Sequence, residues 1–333
     1  VFAPLVLAAQ ATDQIGLMSY VAPTSTRSPV LLASGAGWTD RISGGRFTLG
    51  LGSQIRPNIE GRFGVDWSPP IERMADYAKN VAKLRPAFTF QTEVLESMET
   101  APIVIDGIMY LTTSYNHVYA IDAATGKELW SFDPTGGKFS GPRIRYRGVV
   151  VHDGRVYFNY RYRLFSVDAK TGKPAPGWGN DSGWVDLREG LGRPVKGLSV
   201  SASTPGAVYK DMLIIGTAVP EALPSAPGDI RAYDVKTGKI RWTFHTIPHP
   251  GEFGYETWSP DAWKTAGGTN AWSGVTVDQA RGMVFFATGS ASFDFYGAKR
   301  LGDNLFANSI VALDAMPAPV VAAVQVQTIE ISG

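Results

Sequence analysis

VYAIDAATGKELW, residues 118–130, returns as LFSVDAKTGKPAP at 164–176 and as IRAYDVKTGKIRW at 230–242, and a fourth copy begins at IVALDA, 310–315. Each copy starts with the apolar and polar alternation of a strand. The aspartate (Asp122, Asp168, Asp234) is placed to cap a turn, and Gly126, Gly172 and Gly238 supply the left-handed position of a hairpin with a bulge. Trp130 and Trp242 open the next strand, where a large flat indole suits packing between neighbouring sheets. Copies in register, with strands on both sides, predict radially stacked blades rather than a chance turn.

Outward from this repeat, runs such as PIVIDGIMYLTT, VVVHDGRVYFNY and AVYKDMLIIGTA alternate around Asp-Gly or Lys-Asp turns and read as antiparallel hairpins. Residues 1–88 differ. VFAPLVLAAQAT, IGLMSYVA, SPVLLASGAGWTDRIS, RFTLGLG and ERMADYAKNVAKL alternate helix-like and strand-like segments, the habit of parallel sheets and barrels. The change falls between Arg85 and Glu93, where Pro86 helps to end a helix. The expected organisation is a unit over 1–88, a propeller segment over 89–315 and a tail over 316–333. VFAPLVLAAQAT superficially resembles a signal-peptide core, but it has no basic segment before it, and Asp13, Gln14 and the strand-like IGLMSYV favour an amphipathic helix leading into a strand.

At 333 residues, with 44% apolar and 11% aromatic side chains, the chain has ample material for packed cores. Its 37 glycines, 22 prolines and 9 tryptophans favour many short strands joined by turns. The net charge is +1 and no block of five or more like charges occurs, so nucleic acid and acidic membrane surfaces gain no electrostatic support as partners. No cysteine is present, which excludes disulfides, thiolate metal sites and a cysteine nucleophile. No apolar run reaches the ~18 residues of a membrane span. The four histidines (His117, His152, His245, His249) show no metal-ligand spacing and read as surface or packing residues.

The blade repeats, together with SASTPGAVYKDMLIIGTA (201–218), GGTNAWSGVTVDQARGMVFFATGSAS (267–292) and GDNLFANSIVALDA (302–315), resemble the PQQ-dependent (quinoprotein) glucose and alcohol dehydrogenases. The resemblance covers about two thirds of the chain. It implies a mainly β protein, a partial propeller of four to five blades of an eight-blade type, with pyrroloquinoline quinone (PQQ) and Ca²⁺ in the central funnel. It implies oxidation of an alcohol or sugar hydroxyl, an electron acceptor as partner and a periplasmic location. Carried over by motif, Trp272 is the floor beneath the quinone, and a flat aromatic is what a planar tricycle needs. Asp303 is the general base beside the metal, Glu221 an acidic metal ligand, and Thr204, Ser290 and Asn304 complete the expected cofactor contacts. Ser290 stands where many alcohol-oxidising relatives carry a metal-binding asparagine, and the adjacent-cysteine pair of the methanol and ethanol branches is absent. After Asp314 the expected turn and tryptophan are replaced by AMPAPVVAAVQVQTIEISG. Plainer readings compete: an ordinary inter-blade tryptophan for Trp272, a simple turn for Asp303 and Asn304, and a solvated loop residue for Glu221.

SPVLLASGAGWTDRISGGRFTLGLGSQIRPNIEGRFGVDWSPPIERMADY resembles the luciferase-like monooxygenases, in particular their deazaflavin-dependent oxidoreductases. This implies a fragment of an α/β TIM-type barrel, with Gly50, Gly52 and Ser53 facing a coenzyme in a full-length relative. A few βα units cannot bury both faces of their strands, so no working site is expected from them. Two unrelated enzyme segments on one chain suggest a fusion, and an open arc of blades would expose apolar faces and favour self-association. A non-catalytic repeat scaffold and a deazaflavin oxidoreductase are the alternative functions.

Overall fold

The computed structural model describes residues 2–24, 28–53, 56–62, 66, 69–83, 88–92, 94, 98–137, 146–194, 196–294, 296–297, 300–316 and 319–325. The chain divides into two compact units, Val1–Thr89 and Phe90–Gly333. Arg85, Pro86 and Glu93, where the sequence pattern changes, lie outside the described residues.

In the first unit, α1 (Phe2–Ala11) leads into β1 (Leu17–Pro23), and α2 (Pro29–Ile42) crosses over to β2 (Phe47–Gly52), which pairs parallel with β1. Helix α3 (Pro70–Lys83) follows. Ser28 caps α2 by accepting from the Val30 amide at 3.3 Å, and Pro29 occupies the first turn, where no amide is needed. Arg46, just before β2, donates to the carbonyls of Ala9 and Thr12 at 3.1 and 2.7 Å. A cation thus satisfies the open C-terminal end of α1. Ala22, Leu32 and Tyr77 form the core of this unit, with Phe2, Leu49, Leu51 and Val81 packed on it. The arrangement is a βαβ unit with flanking helices, as a barrel fragment requires. Both polar groups of Gly50 are engaged by the Ser19 hydroxyl, at 3.1 Å from its amide and 3.4 Å from its carbonyl oxygen.

The second unit holds four antiparallel sheets of four strands among the described residues. The first blade is β3 (Ile103–Ile105), β4 (Ile108–Thr112), β5 (Val118–Asp122) and β6 (Glu128–Phe132). The second is β7 (Val150–His152), β8 (Arg155–Tyr160), β9 (Arg163–Asp168) and β10 (Trp184–Asp186), and the third is β11 (Ala207–Tyr209), β12 (Met212–Ile215), β13 (Ile230–Asp234) and β14 (Ile240–Phe244). After the one-turn helix α4 (Ala262–Thr265) comes a two-stranded ribbon, β15 (Gly267–Gly268) with β18 (Ala291–Ser292). The ribbon brackets the start of the fourth blade, which is β16 (Val275–Asp278), β17 (Met283–Ala287), β19 (Ser309–Asp314) and β20 (Val320–Gln325). Strand β20 lies in the segment that the sequence reading leaves outside the propeller. VVAAVQ pairs with β19 through a bulge at Ala312/Leu313, so an apolar alternation supplies the outer strand without the usual glycine turn. Residues 326–333 of that segment lie outside the described residues.

The turn chemistry follows the repeat. Asp122, Asp168 and Asp234 each accept at Oδ1 from the amides two and three residues on and from the threonine hydroxyl, at 2.8–3.1 Å. The hydroxyl and amide of Thr125 hold the Asp122 carboxyl below its ordinary range. Gly126, Gly172 and Gly238 have φ of 74°, 67° and 75°, the left-handed region open to glycine. Register shifts at Ala120/Ile121 and Ala232/Tyr233 are the expected bulges.

Blades are joined by the indoles. Trp130 Nε1 donates to the Ala169 carbonyl of the second blade at 2.9 Å, and its ring covers Gly172, where a Cβ would come within 2.5 Å of the indole. Trp242 Nε1 reaches Ala315 of the fourth blade at 3.0 Å. Pro176 takes the equivalent place in the second copy, yet Trp178, two residues further on, fills the gap toward Gly238 of the third blade. Three apolar cores result: first blade on second, second on third, and third on fourth. The fourth blade buries Val284, Phe286, Val311 and Leu313 against the third and leaves Phe285, Ile310 and Val324 exposed on its other face.

Candidate functional site

A cavity of about 470 Å³ opens where loops from the second, third and fourth blades meet, with Trp272, Glu221, Ser290, Asn270, Asp294 and Arg147 on its wall. Its base is the β15–β18 ribbon. Gly268 is obligatory there: φ is 77°, and a Cβ would stand 2.6 Å from the carbonyl oxygen of Ser290 and the amide of Ser292. That close approach brings the loop after β17 under the loop that carries Trp272.

Trp272 is 52% exposed, whereas Trp130, Trp178 and Trp258 are 8%, 0% and 7% exposed. The inter-blade indoles of Trp130 and Trp178 are buried and that of Trp242 is half-buried, whereas Trp272 presents its ring to a cavity. The Ser203 hydroxyl donates to the Trp272 carbonyl at 2.7 Å and fixes its backbone, and the Arg147 guanidinium lies 5.8 Å from the ring centroid. Thr204 stands behind this wall, against Gly274.

On the facing side, the Glu221 carbonyl accepts from the Asp294 amide at 3.1 Å, which ties two acidic residues to one rim. Ser290 Oγ lies 3.0 Å from Asn308 Oδ1, and Asn270 Nδ2 donates to the Thr217 carbonyl at 2.9 Å, which leaves its amide oxygen for another partner. Carboxylate, hydroxyl and amide oxygens are the donors a hard cation takes. Among the described residues no three His, Asp or Glu side chains gather closely enough to hold a metal by themselves, so a cation here would rely on neutral oxygens as well as Glu221. The exposed indole, the guanidinium and the surrounding hydroxyls likewise fit a flat anionic group.

The structure therefore brings together Trp272, Glu221 and Ser290, with Thr204 behind them. It does not bring Asp303 there. Asp303 is exposed, its carbonyl accepting from Gln325 Nε2 at 2.6 Å, and it is absent from the cavity wall. Asn304 is buried, with φ of 52°, and lines an adjoining cavity that shares Ser292 with the first. Arg147 and Asp294 carry no mark in the sequence, since no local pattern identifies a loop residue that the fold brings to the cavity, whereas Asn270 lies two residues before Trp272 within the GGTNAWSG stretch.

Behind the base, next to Gly228, lies the wholly buried Asp229. Its Oδ1 accepts from the Thr246 amide at 3.3 Å, and its Oδ2 has no partner among the described residues. Burial pushes its pKa up to about 6 against the pull of His245 and Arg231. A folded-state pKa raised above 3.8 means that the native protein holds a proton the unfolded chain has released. Stability from this group is complete below the unfolded value and is lost as pH rises through the folded one, by up to about 3 kcal/mol above pH ~6. Asp229→Asn is expected to cancel that loss, so its advantage over the parent should grow from pH 4 to 7 in urea unfolding. A pH-independent difference would contradict the assignment.

His245 and His249 stack with ring centroids 3.8 Å apart, and Glu252 holds His245 Nδ1 at 2.8 Å and the His249 amide at 2.7 Å. Burial, His245 and Arg193 lower the His249 pKa. His117 meets Asp133 at 3.0 Å.

Comparison with known proteins gives two family matches. The glucose/ethanol/alcohol dehydrogenase β-propeller domain (PQQ) matches residues 77–325, and the luciferase-like monooxygenases match residues 1–104. The chain is 34% identical over 256 residues to the dehydrogenase subunit of a quinone alcohol dehydrogenase of Gluconacetobacter polyoxogenes, covering 70% of this chain and 33% of that protein. Among solved structures, quinohemoprotein alcohol dehydrogenase of Comamonas testosteroni aligns with a TM-score of 0.60 at 29% identity, covering 72% of this chain and 36% of that one. ADHIIG of Pseudomonas putida HK5 aligns at 0.59 and 31% identity, covering 71% and 35%. The chain spans about a third of the length of these relatives. With its four-stranded blades, its indole-to-turn packing and a match running from residue 77 to 325, the chain belongs to the PQQ-dependent glucose/ethanol/alcohol dehydrogenase β-propeller family.

Proposed function

We propose that the propeller unit is the quinone-bearing part of a dehydrogenase that oxidises an alcohol or sugar hydroxyl, using PQQ and Ca²⁺. The exposed ring of Trp272 carries this reading. When bound, PQQ would supply the two-electron acceptor. Trp272 would form its floor, Arg147 would answer its negative charge, and Ser290 and Thr204 would border it. Glu221, with the oxygens of Ser290 and Asn270, would hold the cation. Asp303 is the base that the family resemblance assigns, one residue from Asn304 in the adjoining cavity; Asp294 is the carboxylate on the wall itself. A periplasmic location and an electron acceptor as partner belong to the same proposal.

Titration of the full chain with PQQ and Ca²⁺, followed by quinone absorbance and tryptophan fluorescence, should show saturable binding. Trp272→Ala should weaken it at least about tenfold, the loss of ~1.4 kcal/mol expected when a planar ligand loses an aromatic floor. No binding at micromolar quinone removes the reading.

A further inference from the structure

We propose that the adjoining cavity, about 430 Å³, is a binding site for an apolar molecule bearing one carboxylate. Its wall includes buried Trp258, while Phe293, Tyr296 and Leu301 at the mouth are 46%, 61% and 69% exposed, and Leu223 closes one side. Aromatic and aliphatic surface of this extent around a concavity is what an apolar ligand displaces water from. Among the described residues of that lining stands one cation, Arg300.

Among the described residues no charge answers Arg300. Its backbone amide donates to the Gly297 carbonyl at 2.8 Å, but its buried Nε has no hydrogen-bond partner and its side chain forms no ion pair among the described residues. Among the described residues, Asp261 is held by Lys264 at 2.7 Å, and neither Asp294 nor Asp303 makes an ion pair with Arg300. That Nε is sealed from solvent, so an anion in the cavity would be met by the two terminal nitrogens, which are not among the buried atoms, and a guanidinium is matched best by the two oxygens of a carboxylate. The other polar groups are committed or neutral: Ser292 Oγ donates to the Pro220 carbonyl at 2.9 Å and Asn304 Nδ2 to the Leu301 carbonyl at 3.1 Å. Apolar walls with a single unpaired fork select an aryl or alkyl carboxylate over a polyhydroxylated neutral molecule. Nothing in this selection depends on PQQ.

Calorimetric titration of the full chain with benzoate and with benzyl alcohol tests it. Benzoate should bind at least about tenfold more tightly, and Arg300→Met should remove that preference while leaving benzyl alcohol within about twofold. Arg300→Lys, which keeps the charge without the fork, should fall between. Trp272→Ala should retain the preference, which separates this site from the quinone cavity. Equal affinity of the unmodified chain for the two probes, or an unchanged preference in Arg300→Met, would overturn the proposal.

Discussion

Trp178→Ala is expected to cost about 3–5 kcal/mol, the range for emptying a buried indole site. Trp178 is fully buried. Its Nε1 donates to the Leu164 carbonyl at 3.1 Å, its ring meets Tyr157 edge-on at 5.4 Å, and its far face lies against Gly238 of the next blade. Alanine would leave a void between two sheets and strand a buried carbonyl, and the rigid blades have little means of closing in. Urea unfolding should show a lower midpoint with an unchanged slope. Trp272→Ala, at a ring that is half in solvent, should cost under about 1 kcal/mol in the same assay. Similar losses at both positions would refute the distinction drawn between structural and cavity-facing tryptophans.

Arg231→Ala should be as damaging, by about 3–5 kcal/mol, for an electrostatic reason. The side chain is fully buried and donates to the carbonyls of Glu189 and Leu187 at 2.7 and 2.6 Å, which ties the loop after β10 to the third blade. Its guanidinium carbon lies 5.7 Å from the Tyr233 ring centroid. Removal leaves two buried acceptors unmatched and withdraws a charge that restrains the Asp229 pKa. The variant should therefore also move the titration of Asp229 above about 6. Arg231→Met, which refills the volume, should recover part of the stability without restoring the titration. Normal stability in Arg231→Ala would show that the two carbonyls find other donors.

Much of this fold is legible in the sequence because blade turns are local. Asp122, Thr125 and Gly126 form their hydrogen-bonded turn within a few residues, so the repeat can be read directly. Trp130 and Trp242 are legible for the same reason. Trp178 is not: Pro176 breaks the repeat, and only the three-dimensional gap shows that a displaced indole fills it. Strand β20 is hidden because its pairing depends on β19 and no turn signal announces it. Nothing in the sequence marks Arg231 as buried, since alternation tells which residues share a face but not that a loop of another blade covers one of them. At the site, motif position places Trp272, Glu221 and Ser290 on one cavity. It does not do so for Asp303, which is absent from that wall.

The indole contacts run one way along the chain: Trp130 onto the turn of the second blade, Trp178 onto that of the third, Trp242 onto Ala315 of the fourth. The second and third modules are therefore each clamped by the module before and clamp the one after, as in a one-dimensional lattice with nearest-neighbour coupling. The second and third blades each take part in two such couplings, so loosening either one would release a neighbour on both sides.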